Sequence, residues 1–128
     1  VIADRVEFLQ QVGELIGEEC VCITGGTTYE ERTELKRQIE EGEKSCIAGS
    51  RQIFSEGISV NILSCVILAA PIANDALLEQ IVGRIMRQHE GKLDPLVIDM
   101  NFSGPSDRKQ NRDRQAFYIR KGWEVLGA

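Results

Sequence analysis

Two arginines in the second half of the chain have the type and spacing to bind one anion. Arg84 and Arg87 lie three residues apart, directly after Gly83, in a segment that is predicted to be helical. Residues three apart are neighbours on one helix face, so both guanidinium groups can reach the same phosphate. Such groups neutralise the charge that develops during phosphoryl transfer. The pair therefore makes nucleotide chemistry the first hypothesis, although two arginines alone could also be solvated side chains of an amphipathic helix.

Glycine-containing segments elsewhere in the chain have the composition of phosphate-binding turns. Gly57 lies in the run Ser-Glu-Gly-Ile-Ser that ends at Ser59, and glycine allows a tight backbone turn beside a nucleotide. Gly25-Gly26 and Gly49-Ser50 each follow an apolar run. Backbone N–H groups and hydroxyls at strand ends and helix starts bind phosphate readily. Ordinary turns of an α/β fold would explain the same glycines.

The elements that must position these residues alternate along the chain. Short apolar runs predict strands at 1–3, 20–23, 45–48, 64–69 and 96–100. Amphipathic segments between them predict helices, and a last helix over 107–121. This alternation predicts an α/β fold with an open, mostly parallel sheet and helices on both faces. Ligands of such sheets bind at the carboxyl ends of the strands, where the glycine turns would gather.

Helix starts are predicted from residue type. We expect Asp4 to cap the first helix, whose apolar stripe is Val6, Leu9, Val12 and Ile16. Thr28, which precedes Glu30 and Glu31, is a favourable start for the second. Asn74 or Asp75 can cap the helix that carries the two arginines.

Composition is that of an ordinary globular domain. The chain has 128 residues, 42% of them hydrophobic and 27% charged, which suits one domain with a core. We expect its four cysteines to be reduced thiols of an intracellular protein, with no metal site. The opening at Val1, as if within a strand, suggests a fragment of something longer.

The charges are unevenly distributed. The net charge is −5, yet residues 84–128 contain nine basic and six acidic side chains. Because a phosphate responds to the local electrostatic field, this basic segment is compatible with a polyanionic partner. A solvated basic helix explains the same residues.

Four segments together resemble the conserved motifs of one enzyme class. Gln80-Ile-Val-Gly-Arg-Ile-Met-Arg87 is similar to motif VI of superfamily 2 helicases and translocases, and residues 48–60 are similar to motif V. Residues 24–32 resemble the segment after motif IV, and Val1-Ile-Ala-Asp-Arg5 resembles motif IV itself. Order and spacing match over residues 1–102, so the resemblance is more specific than any single motif.

The resemblance implies the second RecA-like domain of a DNA helicase of the phage or excision-repair style. It covers residues 1–102, and 103–128 would form a basic helical extension packed on the same domain. Arg87 would be the arginine finger and Arg84 a second contact of the γ-phosphate. Further residues implied in binding are Gly57, Ser59, Gln80 and Gly83 for ATP, and Gly25, Gly26, Ser50 and Arg51 for the nucleic acid. Many relatives carry an aspartate where Ser59 stands. We expect no base-stacking platform, because no aromatic residue is expected near these loops.

Two sequence elements of an ATPase are missing from the chain. It contains no Gly-x-x-x-x-Gly-Lys-Ser/Thr loop for phosphates and no Asp-Glu-x-His box for magnesium. By the resemblance, a first RecA-like domain would supply both, with Mg²⁺, so this chain alone would not hydrolyse ATP. The expected partners are that domain and DNA, or RNA, and no membrane, in the cytoplasm of a bacterial or phage-infected cell. The alternative is a stand-alone Rossmann-like binding module without catalysis.

Overall fold

Five parallel strands form the sheet of this domain. A computed structural model of the protein describes residues 1–55, 62–87 and 90–127. The strands are β1 (Ile2–Ala3), β2 (Cys20–Ile23), β3 (Cys46–Ser50), β4 (Cys65–Leu68) and β5 (Leu96–Asp99). Their order is β2-β3-β1-β4-β5, and every described pairing is parallel. The predicted open parallel sheet is confirmed.

Five helices connect or follow the described strands. They are α1 (Val6–Ile16), α2 (Tyr29–Glu40), α3 (Arg51–Ser55), α4 (Asp75–Ile85) and α5 (Asp107–Arg120). Four of them were predicted from the sequence, and α3 was not. The single turn of α3 is too short for an apolar periodicity to develop.

Two of the three predicted helix starts are confirmed. The Thr28 N–H donates to Glu31 Oε2 at 2.9 Å, and the Glu31 N–H donates to Thr28 Oγ1 at 3.2 Å, which makes a capping box. Asn74 Oδ1 accepts from the N–H groups of the residues that begin α4. The prediction for Asp4 is wrong, since the N-cap of α1 is Arg5 without a side-chain bond. The Asp4 carboxylate instead accepts hydrogen bonds from Arg51.

Helices cover both faces of the sheet, as predicted. On one face, Ile2 and Leu68 pack against α4 and α5, while Ile23 and neighbouring strand residues pack against α2 and α3. On the other face, Leu9 of α1 packs on Ala3 and Ala48. Leu9 is the one fully buried member of the predicted α1 stripe. Val6 and Ile16, near the helix ends, remain 45% and 43% exposed, because small residues on this face need little apolar cover.

The last helix is held by aromatic packing and by a buried ion pair. The rings of Phe117, Tyr118 and Trp123 lie about 6 Å apart and join the core cluster of β1 and β4, so they anchor α5 on the sheet. Arg114 Nε lies 2.8 Å from Asp99 Oδ2 at the end of β5, and Arg114 is 1% exposed. Arg114, one of the basic residues of this segment, therefore has a structural role.

Across the described ranges, no helix has the length and apolar character to cross a membrane.

Candidate nucleotide and nucleic-acid sites

One face of α4 brings together three of the residues predicted to face ATP. Gln80, Gly83 and Arg84 have the i, i+3, i+4 spacing of a single helix face, with Gln80 and Gly83 exposed and Arg84 half-buried. The helix ends at Ile85 and Arg87 lies beyond its C-cap, exposed to solvent. The sequence predicted a helix that includes both arginines, and that prediction is wrong for Arg87.

Gly83 has no role in the packing of this domain. A Cβ placed on it would meet no described atom within 4 Å, and its φ is not positive. Neither the backbone conformation nor a neighbouring helix therefore requires a glycine here. The absence of a side chain at Gly83 leaves open space on the helix face that carries Arg84.

Lys92 holds the turn that carries both arginines. Its Nζ donates to the carbonyl oxygen of Arg87 at 2.5 Å and to that of Arg84 at 3.4 Å. A lysine suits the partial negative charge at a helix C-terminus. Burial lowers the pKa of Lys92, and the nearby charge of Arg87 lowers it further. Lys92 was not predicted to have a role here, although a lysine shortly after a helix end is a recognisable signal.

The arginine-bearing end of α4 lies at the amino edge of the sheet. Arg84 borders a cavity of about 170 Å³ together with Ser45, Cys46 and Cys65, where β3 and β4 begin. This position follows from the parallel topology, in which each connecting helix runs opposite to the strands. The turn at Gly25 and Gly26 follows β2 and lies at the carboxyl edge, as does Ser50, the last residue of β3. The two groups of predicted residues are therefore on opposite edges.

The turn after β2 presents free backbone donors. The Thr27 N–H donates to the Thr24 carbonyl at 3.1 Å, and the Arg32 guanidinium donates to the carbonyls of Thr27 and Thr24 at 3.2 and 3.4 Å. Gly25 and Gly26 are exposed, and no hydrogen bond among the described residues uses their N–H groups. Exposed N–H groups of a turn are the kind of donor that binds anions.

The second predicted strand-binding loop is partly occupied by internal contacts. Ser50 ends β3, and its Oγ accepts the Ile53 N–H at 3.4 Å. The Arg51 guanidinium binds both oxygens of Asp4, at 2.6 and 2.5 Å. This pair is about 40% exposed, and exposed pairs are worth about 0–1 kcal/mol. Arg51 therefore has a neutralising partner, but one that a phosphate can displace at little cost.

Two exposed aromatic side chains lie at the same carboxyl edge, so the expectation that this region has none is wrong. Tyr29 begins α2 directly after the glycine turn and is 80% exposed. Phe8 of α1 is 42% exposed and lines a cavity with residues that follow β1 and β4. The sequence indicates that both rings are exposed, since neither residue belongs to a predicted core stripe.

The remaining predicted ATP contacts, Gly57 and Ser59, lie outside the described residues.

The topology defines a RecA-like α/β domain. The solved structure of the DUF1998 helicase MrfA, bound to DNA and AMPPNP, matches it with a TM-score of 0.73 at 23% identity, over 93% of this chain and 17% of that one. The chain belongs to the family of helicase conserved C-terminal domains, whose sequence model matches residues 1–89. The resemblance found in the sequence is thereby confirmed.

Phage proteins are among the relatives. "Probable helicase D10" of Escherichia phage T5 is 37% identical over 98% of this chain and 29% of its own length. "ATP-dependent DNA helicase uvsW" of Enterobacteria phage T4 is 33% identical over 76% of this chain and 20% of its own length. The chain thus spans less than a third of either relative.

Proposed function

We propose that this chain is the second motor domain of an ATP-dependent DNA helicase or translocase. Arg87 acts as the arginine finger, Arg84 is a second contact of the γ-phosphate, and Gln80 and Gly83 form the surface against the nucleotide. The observation that carries the proposal is the α4 face. It combines Arg84 with a glycine that the domain's own packing does not need, and Arg87 follows just beyond the C-cap of the helix.

The local charge supports an anionic ligand at this face. The Lys92 ammonium is fixed on the carbonyls of Arg84 and Arg87, so three cationic side chains belong to one short segment. When a cleft closes and excludes water, such charges act strongly on the charge that develops during phosphoryl transfer. Arginine suits this role better than lysine because its planar fork binds two oxygens at once.

ATP and its Mg²⁺ would bind between this domain and a first RecA-like domain of the same protein. That domain would supply the phosphate loop and the magnesium ligands, which this sequence lacks. Gly57 and Ser59 remain proposed nucleotide contacts. We also retain the division into a RecA-like unit, 1–102, and a basic extension, 103–128, and a cytoplasmic location. The names of the two phage relatives support a helicase activity of the whole protein.

The nucleic-acid strand would lie on the carboxyl edge. The N–H groups of Gly25 and Gly26 and the Ser50 hydroxyl would hold phosphates without reading sequence. Arg51 would contribute when a phosphate displaces Asp4 from its guanidinium. DNA is the proposed strand because uvsW is named a DNA helicase, and the same backbone contacts would suit RNA.

The proposal is tested in the full-length protein by measuring ATP hydrolysis with and without single-stranded DNA. Arg87→Ala should lower stimulated turnover by about 10²-fold or more while ATP binding is largely kept, as expected for an arginine finger. Arg108→Ala, which removes an exposed arginine of α5, is the matched control and should leave turnover near the wild-type value.

Gly83→Ala separates the active face from the stability of the fold. The new methyl group meets open space, so the helix should be as stable or gain up to about 1 kcal/mol. Turnover should nevertheless fall, because the methyl group occupies the surface proposed to close on the nucleotide. If both variants hydrolyse ATP like the wild type, the stand-alone binding module replaces the motor domain.

A further inference from the structure

A second cavity opens at the carboxyl edge, where the sheet order changes direction. It measures about 370 Å³ and lies between the residues that follow β1 and β4. Its lining includes Asp4, Arg5, Glu7, Phe8, Gln11 and Pro71. Open α/β sheets bind ligands at the crevice where the strand order reverses, and the volume falls within the range of small-molecule sites. None of the residues assigned to ATP binding or to nucleic-acid binding lines this cavity.

We propose that this switch-point cavity takes one unstacked base of a single-stranded nucleic acid, with its ring stacked on Phe8. The inference rests on the proposed binding of a strand along the carboxyl edge, and it adds a base contact to a surface otherwise assigned to phosphates.

The cavity adjoins the loops proposed to hold the strand. Ala3, which lines it, is paired in register with Ser50 of β3. Asp4, also in the lining, is held by the Arg51 guanidinium. The strands β2, β3 and β1 are neighbours, so the turn at Gly25 and the cavity are two strand spacings apart, or about 10 Å. A strand crossing this edge would meet the glycine turn, then Ser50, then the cavity.

Phe8 offers an aromatic ring that the core does not use. The apolar contact of α1 with the sheet is made by its neighbour Leu9, which is fully buried, whereas Phe8 is 42% exposed. An aromatic ring beside a backbone-binding groove is the usual means by which proteins hold the bases of single strands. Stacking tolerates any base, as a translocating enzyme requires.

The charges around the cavity favour a base over a phosphate. The Glu7 carboxylate repels a phosphate, whereas the charge of Asp4 is compensated by Arg51. Both carboxylates can accept hydrogen bonds from the exocyclic amino groups of cytosine and adenine. Arg5 and Gln11, at the same cavity, can donate to ring nitrogens and carbonyl oxygens. This donor and acceptor set matches the edge of a neutral base.

The test uses the full-length protein and single-stranded DNA in which one abasic site is moved along the oligonucleotide. Affinity is measured for wild type, Phe8→Ala, Phe8→Tyr and Leu15→Ala, the last removing an apolar side chain of α1 that is 87% exposed. At one position, the abasic site should weaken wild-type binding by about 5- to 150-fold, the range for one base stacked on an aromatic side chain. That penalty should persist in Phe8→Tyr and Leu15→Ala and vanish in Phe8→Ala.

The outcomes distinguish this inference from the motor proposal. Tight binding of the intact oligonucleotide, with the same abasic penalties in wild type and Phe8→Ala, overturns the base site and leaves the proposed strand binding in place. Failure of wild type to bind the intact oligonucleotide overturns both. Melting temperatures of the four proteins verify that each is folded, and Phe8→Leu repeats the loss of the ring with a smaller change of volume.

Discussion

Replacing Asp99 with asparagine should destabilise the chain more than any exposed charge replacement. Asp99 Oδ2 is 2.8 Å from Arg114 Nε and accepts the Tyr118 hydroxyl at 2.7 Å. The Arg114 side chain is 2% exposed, so Asp99→Asn leaves a positive charge buried without its counterion. Breaking a buried pair in this way costs about 3–5 kcal/mol. For a chain of this length that loss corresponds to a melting temperature lower by about 10–20 °C.

The remaining contacts of Arg114 do not replace the lost carboxylate. Its Nη2 donates to Asn111 Oδ1 at 2.7 Å and to the Met100 carbonyl at 3.3 Å, and both acceptors are neutral. Its Nη1 is buried and has no hydrogen-bond partner among the described residues. The guanidinium therefore depends on Asp99 for charge compensation.

Urea unfolding followed by circular dichroism measures the difference. Asp113→Asn is the matched control, because it removes the partner of Lys109 in a pair whose side chains are 51% and 76% exposed, and such pairs contribute about 0–1 kcal/mol. The combined replacement Asp99→Leu with Arg114→Met should recover part of the loss, since it removes both charges but leaves the Tyr118 hydroxyl without its acceptor. If Asp99→Asn costs no more than Asp113→Asn, the ion pair does not hold α5 and the reasoning fails.

Three further perturbations follow from described contacts. Thr28→Ala removes one half of the capping box and should lower the free energy of unfolding by about 1 kcal/mol, whereas Thr33→Ala, in the exposed middle of α2, should change it less. Gly49→Ala places a Cβ 3.1 Å from the Phe54 ring and 3.2 Å from the Ile23 carbonyl, which should cost about 1–3 kcal/mol; Gly25→Ala, with nothing within 4 Å, should be neutral in the same denaturation assay. Burial and the neighbouring Cys46 raise the pKa of Cys20 to about 11. The unfolded chain then releases this proton at lower pH than the folded one, so stability should fall as pH rises from about 9 towards 11, and the fall should be shallower in Cys20→Ala.

Strand positions and capped helix starts could be predicted from the sequence because they depend on local chemistry. Thr28 and Asn74 form their predicted caps, since a short polar side chain before a helix has few better partners. Asp4 was predicted by the same rule and instead pairs with Arg51, which is 47 residues away in the chain. A long-range partner of this kind has no local signal.

The candidate sites were predictable in residue type but not in placement. The spacing predicts that Arg84 and Arg87 share one helix face, but α4 ends before Arg87. The location of Arg84 at the amino edge, opposite to Gly25, depends on the sheet topology. Phe8 and Lys92 each have a signal in the sequence, an aromatic residue outside the core stripe and a lysine after a helix end. The cavity and the hydrogen bonds that give them a role form only in the folded chain.

Because α4 runs opposite to the strands, the arginines and the proposed nucleic-acid loops lie at opposite edges of one sheet. The strands on either side of the central strand are four or five residues long, and the central strand β1 has two, so the two edges are roughly 15 Å apart. A close-packed parallel sheet between them deforms little. Under the proposed function, a displacement of the arginines at one edge therefore moves the loops that hold the nucleic acid at the other edge, because the whole domain rotates. Force would pass from nucleotide to nucleic acid without any internal rearrangement, and the step length would be set by the angle through which the domain turns.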